Sequence, residues 1–359
     1  MEIASILQKC VERNASDIHL TVGKPPLLRV DGKLDEVQKR PLRPEDTEGL
    51  MKSITPEDHL GRVEEMGGCD FGFSFGQVAR FRVSVYKQKG YYGMALRLIP
   101  YKLMTFEEIG LPPHVKELLF RPRGLILVTG PTGCGKTTTL ATMVDFINTE
   151  KDCHIVTIED PIEYYHQHKK GIITQRELGV DIPSFSEAVI KGLRMDPDVI
   201  LIGEMRDLAT MEAALTAAET GHLVLATTHT TGAAQTVDRI VDSFPAHQQS
   251  QIRVQLSINI LAVISQLLLV KAIGRGRIAA FEIMVATGSI QNLIRENKAF
   301  RITSDIQTGA KHGMRTLDAS LLELYNRQLI TYEDLISKSS DPEQMQQRIQ
   351  AKAKAKGIR

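Results

Sequence analysis

Gly130-Pro131-Thr132-Gly133-Cys134-Gly135-Lys136-Thr137 fills every fixed position of G-x-x-x-x-G-K-[ST]. Glycine lets backbone N–H groups turn inward around an anion without side-chain clash. A helix over Thr137 to Phe146 would add the positive end of its dipole. Lys136 would then face the β- and γ-phosphates of a nucleotide, and the Thr137 hydroxyl is a candidate ligand for Mg²⁺. Cys134 stands where a small hydroxyl residue is common. Its side chain is expected to point away, and it becomes a reactive thiol if the helix end lowers its pKa.

A phosphate loop only binds, and hydrolysis also needs carboxylates that order the metal and position water. Two acidic clusters follow apolar runs: Ile158-Glu159-Asp160-Pro161-Ile162-Glu163, and Asp198-Val199-Ile200-Leu201-Ile202-Gly203-Glu204. The second resembles a Walker B strand in which Gly203-Glu204 replaces the usual terminal aspartate. Asp198 reads better as a capping or solvated residue.

These groups need strand ends to hold them. Leu125 to Val128, His154 to Ile158, Val199 to Ile202 and Leu223 to Ala226 are short apolar runs. Helical spacing separates them: Leu140, Met143, Val144 and Ile147 after the loop, then Leu208, Met211, Leu215 and Ala218 before a stop at Gly221. Alternation of this kind predicts an α/β fold with a parallel sheet covered on both faces. Ligands of such sheets lie at the carboxyl ends of the strands, where both the loop and the acids fall.

The first 105 residues read differently, as a small α+β domain. A helix runs through Ile6, Cys10 and Val11, and strands follow over Ile18 to Val22, Leu27 to Val30, Asp70 to Phe75, Ala79 to Tyr86 and Tyr92 to Ile99. Asp31-Gly32 signals a hairpin. Residues 106–115 are expected as a linker, Tyr101 to Pro113 as a hinge, and 116–359 as the second domain. The lysine-rich tail from Gln344 to Arg359 is expected to fray.

Composition narrows the class further. A net charge of +1 and the lack of a basic, aromatic-interleaved patch argue against nucleic acid. The most apolar stretch, Val254 to Val270, is interrupted by Gln255, Ser257, Asn259, Ser265 and Gln266, so it reads as a core helix and a buried strand instead of a membrane span. The start lacks a signal-peptide pattern. The four cysteines, Cys10, Cys69, Cys134 and Cys153, form no C-x-x-C pair, which fits free thiols in a reducing cytoplasm.

Taken together, these motifs resemble the secretion ATPases of type II secretion and type IV pilus systems, most closely the PilT retraction ATPases. Beyond the phosphate loop, Thr157 to Glu163 is similar to that family's Asp box and Asp198 to Asp207 to its atypical Walker B. Gly221-His222 through Thr228-His229-Thr230 is similar to its His box, with the two histidines seven apart. Ser289-Ile290-Gln291-Asn292-Leu293-Ile294-Arg295-Glu296 is similar to the retraction signature A-I-R-N-L-I-R-E, departing at Ser289 and Gln291. The tetracysteine zinc module and extra N-terminal domain usual in extension ATPases are not seen.

The resemblance implies a PAS-like N-terminal domain, a RecA-like P-loop core and a cytoplasmic homohexamer with ATP at subunit boundaries. Its partner would be a pilus platform protein at the inner membrane. ATP and Mg²⁺ are the implied cofactors. The nucleotide-binding set is Gly130, Thr132, Gly133, Cys134, Gly135, Lys136, Thr137 and Thr138, with His222. Thr137 and Glu204 would hold the metal. Glu163 is the choice for positioning the attacking water, with Glu159 as the alternative. His229 would sense the γ-phosphate, or lie at an interface with His222, unless these histidines are satisfied by backbone. Arg80 and Arg82 share one strand face, Arg97 lies on a neighbouring strand, and the resemblance suggests that all three reach an adjoining site. The competing readings are a fibre-assembling or secretion ATPase, a nucleic-acid translocase on the same core, and a non-hydrolysing scaffold.

Overall fold

In the computed structural model the alternating and the continuous apolar runs separate into two units. The structure describes residues 2–30, 32–76, 78–99, 103–274 and 276–355. One unit comprises Met1–Leu103 with Glu159–Tyr165, the other Met104–Ile158 with His166–Arg359.

The first unit contains α1 (Ile3–Glu12), β1 (Asp17–Leu20), β2 (Leu27–Val30), β3 (Lys33–Glu36), α2 (Pro44–Lys52), α3 (Glu57–Met66), β4 (Gly68–Phe75), β5 (Ala79–Gln88) and β6 (Tyr91–Ile99). Its strands form one antiparallel sheet in the order β3-β2-β1-β6-β5-β4. Period two sorts the side chains. Phe81, Val83 and Val85 of β5 join Met94 and Leu96 of β6 in a core closed by Ile6, Leu7 and Cys10 of α1 and Met51 of α2. The other face carries Arg80 and Arg82, and Arg82 pairs across the ladder with Arg97, which pairs in turn with Asp17. Asp31 of the expected hairpin turn lies outside the described residues, but β2 and β3 pair as that turn requires.

The second unit contains α4 (Phe106–Ile109), α5 (Val115–Leu118), β7 (Gly124–Thr129), α6 (Lys136–Glu150), β8 (His154–Glu159), β9 (Ile172–Glu177), α7 (Phe185–Gly192), β10 (Val199–Ile202), α8 (Leu208–Glu219) and β11 (Leu223–Thr228). There follow α9 (Ala233–Asp242), α10 (Gln249–Asn259), β12 (Ile260–Val270), β13 (Arg277–Val285), α11 (Gly288–Arg295), α12 (Ile302–Thr308), α13 (Leu317–Asn326), α14 (Tyr332–Lys338) and α15 (Pro342–Ala355). The sheet order is β13-β12-β7-β11-β10-β8-β9. The ladders joining β12, β7, β11, β10 and β8 are parallel, while β13 closes one side antiparallel.

Alternate residues of the central strands feed separate cores. Leu125 and Leu127 pack with α8, α9 and α10, whereas Ile126 and Val128 pack with Leu140, Met143 and Val144 of α6. Both faces are therefore covered, which is why these strands are continuously apolar.

Two features depart from the sequence reading. The expected linker, residues 106–115, is packed: Phe106, Leu111 and Val115 are buried in the α6-side core, so apolar burial and not connection sets its conformation. Of the expected hinge, Tyr101 and Lys102 lie outside the described residues. The tail expected to fray is helical as far as Ala355, and residues 356–359 lie outside the description. Among the described residues no helix is long and apolar enough to cross a membrane.

Candidate nucleotide site

The parallel ladders bring the carboxyl ends of β7, β11 and β10 to one edge of the sheet. The glycine-rich loop leaves β7 there and runs into α6, whose first residue is Lys136. The loop's course depends on glycine at two points. Gly130 has φ 137, and a Cβ on it would lie 2.8 Å from Cys134 Sγ. Gly135, the N-cap of α6, has φ 92, in the left-handed region that side chains disfavour.

A buried strand residue fixes the loop from behind. Gln266 of β12 is 3% exposed. Its Nε2 donates to the Cys134 carbonyl at 2.6 Å, and its Oε1 accepts from Thr139 Oγ1 at 2.8 Å. Thr132, Gly133 and Thr137 stay exposed and Thr138 partly so. Cys134 is not the reactive thiol considered from sequence. Its side chain is buried, and burial raises its pKa despite the opposing charge of Lys136. What Cys134 can offer a phosphate is its backbone.

Lys136 Nζ donates to the carbonyls of Gly130 at 2.7 Å and Pro131 at 3.2 Å, and lies 3.5 Å from His229 Nδ1. These loop carbonyls are the acceptors a nucleotide's phosphate oxygens would replace. Partial burial lowers the pKa of Lys136, with Glu204 among the charges opposing that shift.

Glu204 follows the end of β10, and its side chain is 19% exposed. Its Oε1 is 2.6 Å from Arg206 Nε and 2.8 Å from His229 Nε2. Burial pushes its pKa up, but the hydrogen bonds and charges of Arg206 and His229 outweigh it and hold the carboxyl below the usual range. Backbone pairing fixes the strand end: Gly203 N–H donates to the Ile158 carbonyl at 2.8 Å, and Met205 N–H to that of Thr227 at 3.0 Å. His229 thus stands between an ionised carboxylate and the loop lysine.

The segment carrying His229 is anchored by two residues that the sequence reading passed over. Ser265 Oγ accepts from Gly232 N–H at 2.9 Å, and Glu282 Oε1 from Ala233 N–H at 2.8 Å, at the start of α9. The available signal was polarity inside an apolar run: Ser265-Gln266 within β12 and Glu282 within β13.

His222 does not join this group. It precedes β11 while His229 follows it, so the strand's six residues separate them, about 20 Å of extended chain. His222 Nδ1 lies 3.0 Å from the Ala217 carbonyl and 3.3 Å from Thr220 Oγ1, closing the end of α8. Within one subunit it lies at the end of α8, apart from Lys136, His229 and Glu204.

The remaining candidates belong to the first unit. Glu163 Oε1 lies 3.9 Å from Arg82 Nη1, and Arg82 also lies 3.6 Å from Asp70. Glu159 is buried at the end of β8. Arg97 pairs with Asp17 at 3.0 Å with its side chain 68% exposed. Arg80, expected beside Arg82 and Arg97 as a group that reaches outward, is instead 6% exposed. Its Nε donates to the Ile162 carbonyl at 2.9 Å, and its guanidinium fills the space left by Gly72, which pairs with the neighbouring Arg82.

The family profile described as Type II/IV secretion system protein matches residues 1–333. The chain is 48% identical over 343 residues to the "Type IV pilus retractation ATPase PilT" of Pseudomonas aeruginosa, covering 96% of this chain and 99% of that one. It is 46% identical to a "Twitching motility protein" of Neisseria gonorrhoeae, covering 89% of this chain and 86% of the relative. A crystal structure of the pilus retraction motor PilT with bound ADP superposes with a TM-score of 0.89 at 48% identity, covering 97% of this chain and 99% of that one.

Proposed function

The chain belongs to the Type II/IV secretion system protein family, and from that premise we propose that it is an ATP-hydrolysing motor that drives retraction of type IV pili. The observation that carries the ATPase reading is the convergence of Lys136, His229 and Glu204 at one sheet edge, beside a complete phosphate loop on a helix N-terminus. Retraction is favoured over assembly by similarity along nearly the whole chain to a retraction ATPase.

Each residue has a role set by its place. The loop N–H groups and Lys136 bind the phosphates, Lys136 exchanging its loop carbonyls for phosphate oxygens. His229 reports on the γ-phosphate, since it touches both Lys136 and Glu204. Mg²⁺ prefers hard oxygen donors, and the exposed Thr137 hydroxyl and the ionised Glu204 carboxylate are such donors. Once bound, the ion would neutralise charge on the phosphates. Glu163 positions the attacking water, with Glu159 as the alternative carboxylate. Arg82 and Arg97 are the arginines assigned to a neighbouring subunit's site, a contribution of ~10³–10⁵ in rate where such fingers act. The working assembly is a homohexamer at the cytoplasmic face of the inner membrane, docked on a pilus platform protein. The N-terminal PAS-like domain and the RecA-like core are the parts that move against each other.

Lys136→Ala tests this reading. Purified rings of the variant should lose ATP turnover while keeping their fold and ring size. Turnover near the wild-type rate would mean that this loop is not the working site.

A further inference from the structure

Glu163 sits on a segment, Glu159–Tyr165, that packs with the N-terminal sheet although its sequence lies between strands of the other unit. One side chain grips that segment on both sides of Glu163. Arg80 Nε donates to the Ile162 carbonyl at 2.9 Å, on the residue before Glu163. The Arg80 guanidinium carbon lies 3.8 Å from the centre of the Tyr165 ring, two residues after it. Arg80 Nη1 donates to Ser74 Oγ at 2.9 Å, which fixes the plane of the guanidinium against β4. The space it fills exists because β4 carries glycine at 72. A Cβ there would lie 2.8 Å from the guanidinium carbon, and the backbone of Gly72 is outside the left-handed region, so the absence of a side chain answers to space and not to φ.

We propose that Arg80 is a positioning residue that holds Glu163 in place within its own subunit. The inference rests on the reading of Glu163 as the carboxylate that positions water. It divides the three arginines by what each guanidinium faces. Arg82 and Arg97 keep exposed side chains, whereas Arg80 is buried and directs two of its donors to acceptors in the same chain. A buried guanidinium that lies over a ring and is hydrogen-bonded to two further groups is fixed in both position and orientation, which a lysine ammonium cannot reproduce. Water positioning tolerates little displacement: a shift of about 1 Å can cost ~10²-fold in rate.

The test is steady-state ATP hydrolysis by full-length rings of Arg80→Ala, Arg80→Lys, Gly72→Ala and Glu163→Gln, with melting temperature and ring size measured on each. Arg80→Ala and Arg80→Lys should lower kcat by roughly 10–10²-fold with KM for ATP little changed, the pattern of a defect in the reacting geometry. Gly72→Ala should do the same by displacing the guanidinium, and it decides the matter if Arg80→Ala fails to fold. In the Glu163→Gln background, Arg80→Ala should add no further loss, because groups acting as a unit are non-additive. Rings mixed from Arg80→Ala and Glu163→Gln subunits should show no recovery, since neither subunit type has an intact, positioned Glu163. A loss that persists in full in the Glu163→Gln background, one confined to KM, or recovery in mixed rings overturns the inference. Wild-type kcat in Glu163→Gln alone overturns instead the reading beneath it.

Discussion

Replacing Gln266 by leucine removes the amide that fixes the phosphate loop while keeping similar volume in β12. Two contacts disappear: Nε2 to the Cys134 carbonyl at 2.6 Å, and Thr139 Oγ1 to Oε1 at 2.8 Å. The Thr139 hydroxyl sits one helical turn beyond Gly135, and can turn back onto that residue's carbonyl. The Cys134 carbonyl has no such local substitute. One stranded buried polar group costs ~1–3 kcal/mol. Near the middle of that range, at about 2 kcal/mol, the second unit should melt ~4–8 °C lower, since domains of such size shift ~2–4 °C per kcal/mol. Nucleotide must then re-order a loosened loop, and if ~1–2 kcal/mol of this comes out of binding, affinity falls roughly 5–30-fold. Gln266→Glu should be worse, because it keeps an acceptor for Thr139 but turns a carboxylate toward the Cys134 carbonyl. Scanning calorimetry and titration with a fluorescent ATP analogue read both quantities. Wild-type melting and wild-type affinity in Gln266→Leu would refute the argument that this amide orders the loop.

Asn292→Ala with Arg295→Ala should leave melting and much of the ATPase rate intact yet stop retraction in cells. The apolar face of α11 (Ile290, Leu293 and Ile294) is buried, while Arg295 donates to Asn292 and, at 3.5 Å, to Ser257 Oγ. Normal motility, or a collapsed melting transition, would remove that coupling role. Glu282 predicts a pH dependence. Burial holds its carboxyl above the usual glutamate range, against hydrogen bonds from Ala233 and Leu317 that act the other way. The folded state therefore binds this proton more tightly than the unfolded chain does. The resulting stabilisation is complete below the unfolded pKa of ~4.3 and is lost as pH rises through the folded value. Glu282→Gln should flatten the fall of melting temperature with pH over that window, and an unchanged slope would contradict the assignment. Subunits carrying Arg82→Ala and Arg97→Ala, mixed with Lys136→Ala subunits, should regain some ATPase activity, because boundaries with both halves intact can form. No recovery in well-mixed rings would count against action in trans.

Most strands of both sheets and the phosphate loop were legible because local rules govern them. Period two in Ala79 to Tyr86, continuous apolarity in Leu125 to Val128 and a glycine-lysine loop between strand and helix need no long-range knowledge. Long-range register was not legible. Arg80 and Arg82 share a face, as strand geometry requires. Yet Arg80 is buried because Gly72, which pairs with Arg82, leaves room for its guanidinium and a carbonyl 82 positions away accepts from it. His222 and His229 look equivalent in a motif, but a strand places them at opposite edges of the sheet. Gln266 looked like an interruption of an apolar run and Glu282 went unread, and only the folded ladder shows that they face the phosphate loop and the start of α9. β9 and β13 went unread, the former because Thr174, Gln175 and Arg176 break its apolar pattern.

The central claim is that ATP turnover at this loop pulls pili in. Its most direct test is pilus number and surface motility in cells lacking the gene, complemented with the wild-type chain or with Lys136→Ala. Abundant pili and no motility are expected in the deletion strain, with motility restored by the wild-type chain and not by Lys136→Ala. Bald cells, or motility restored by Lys136→Ala, would contradict it.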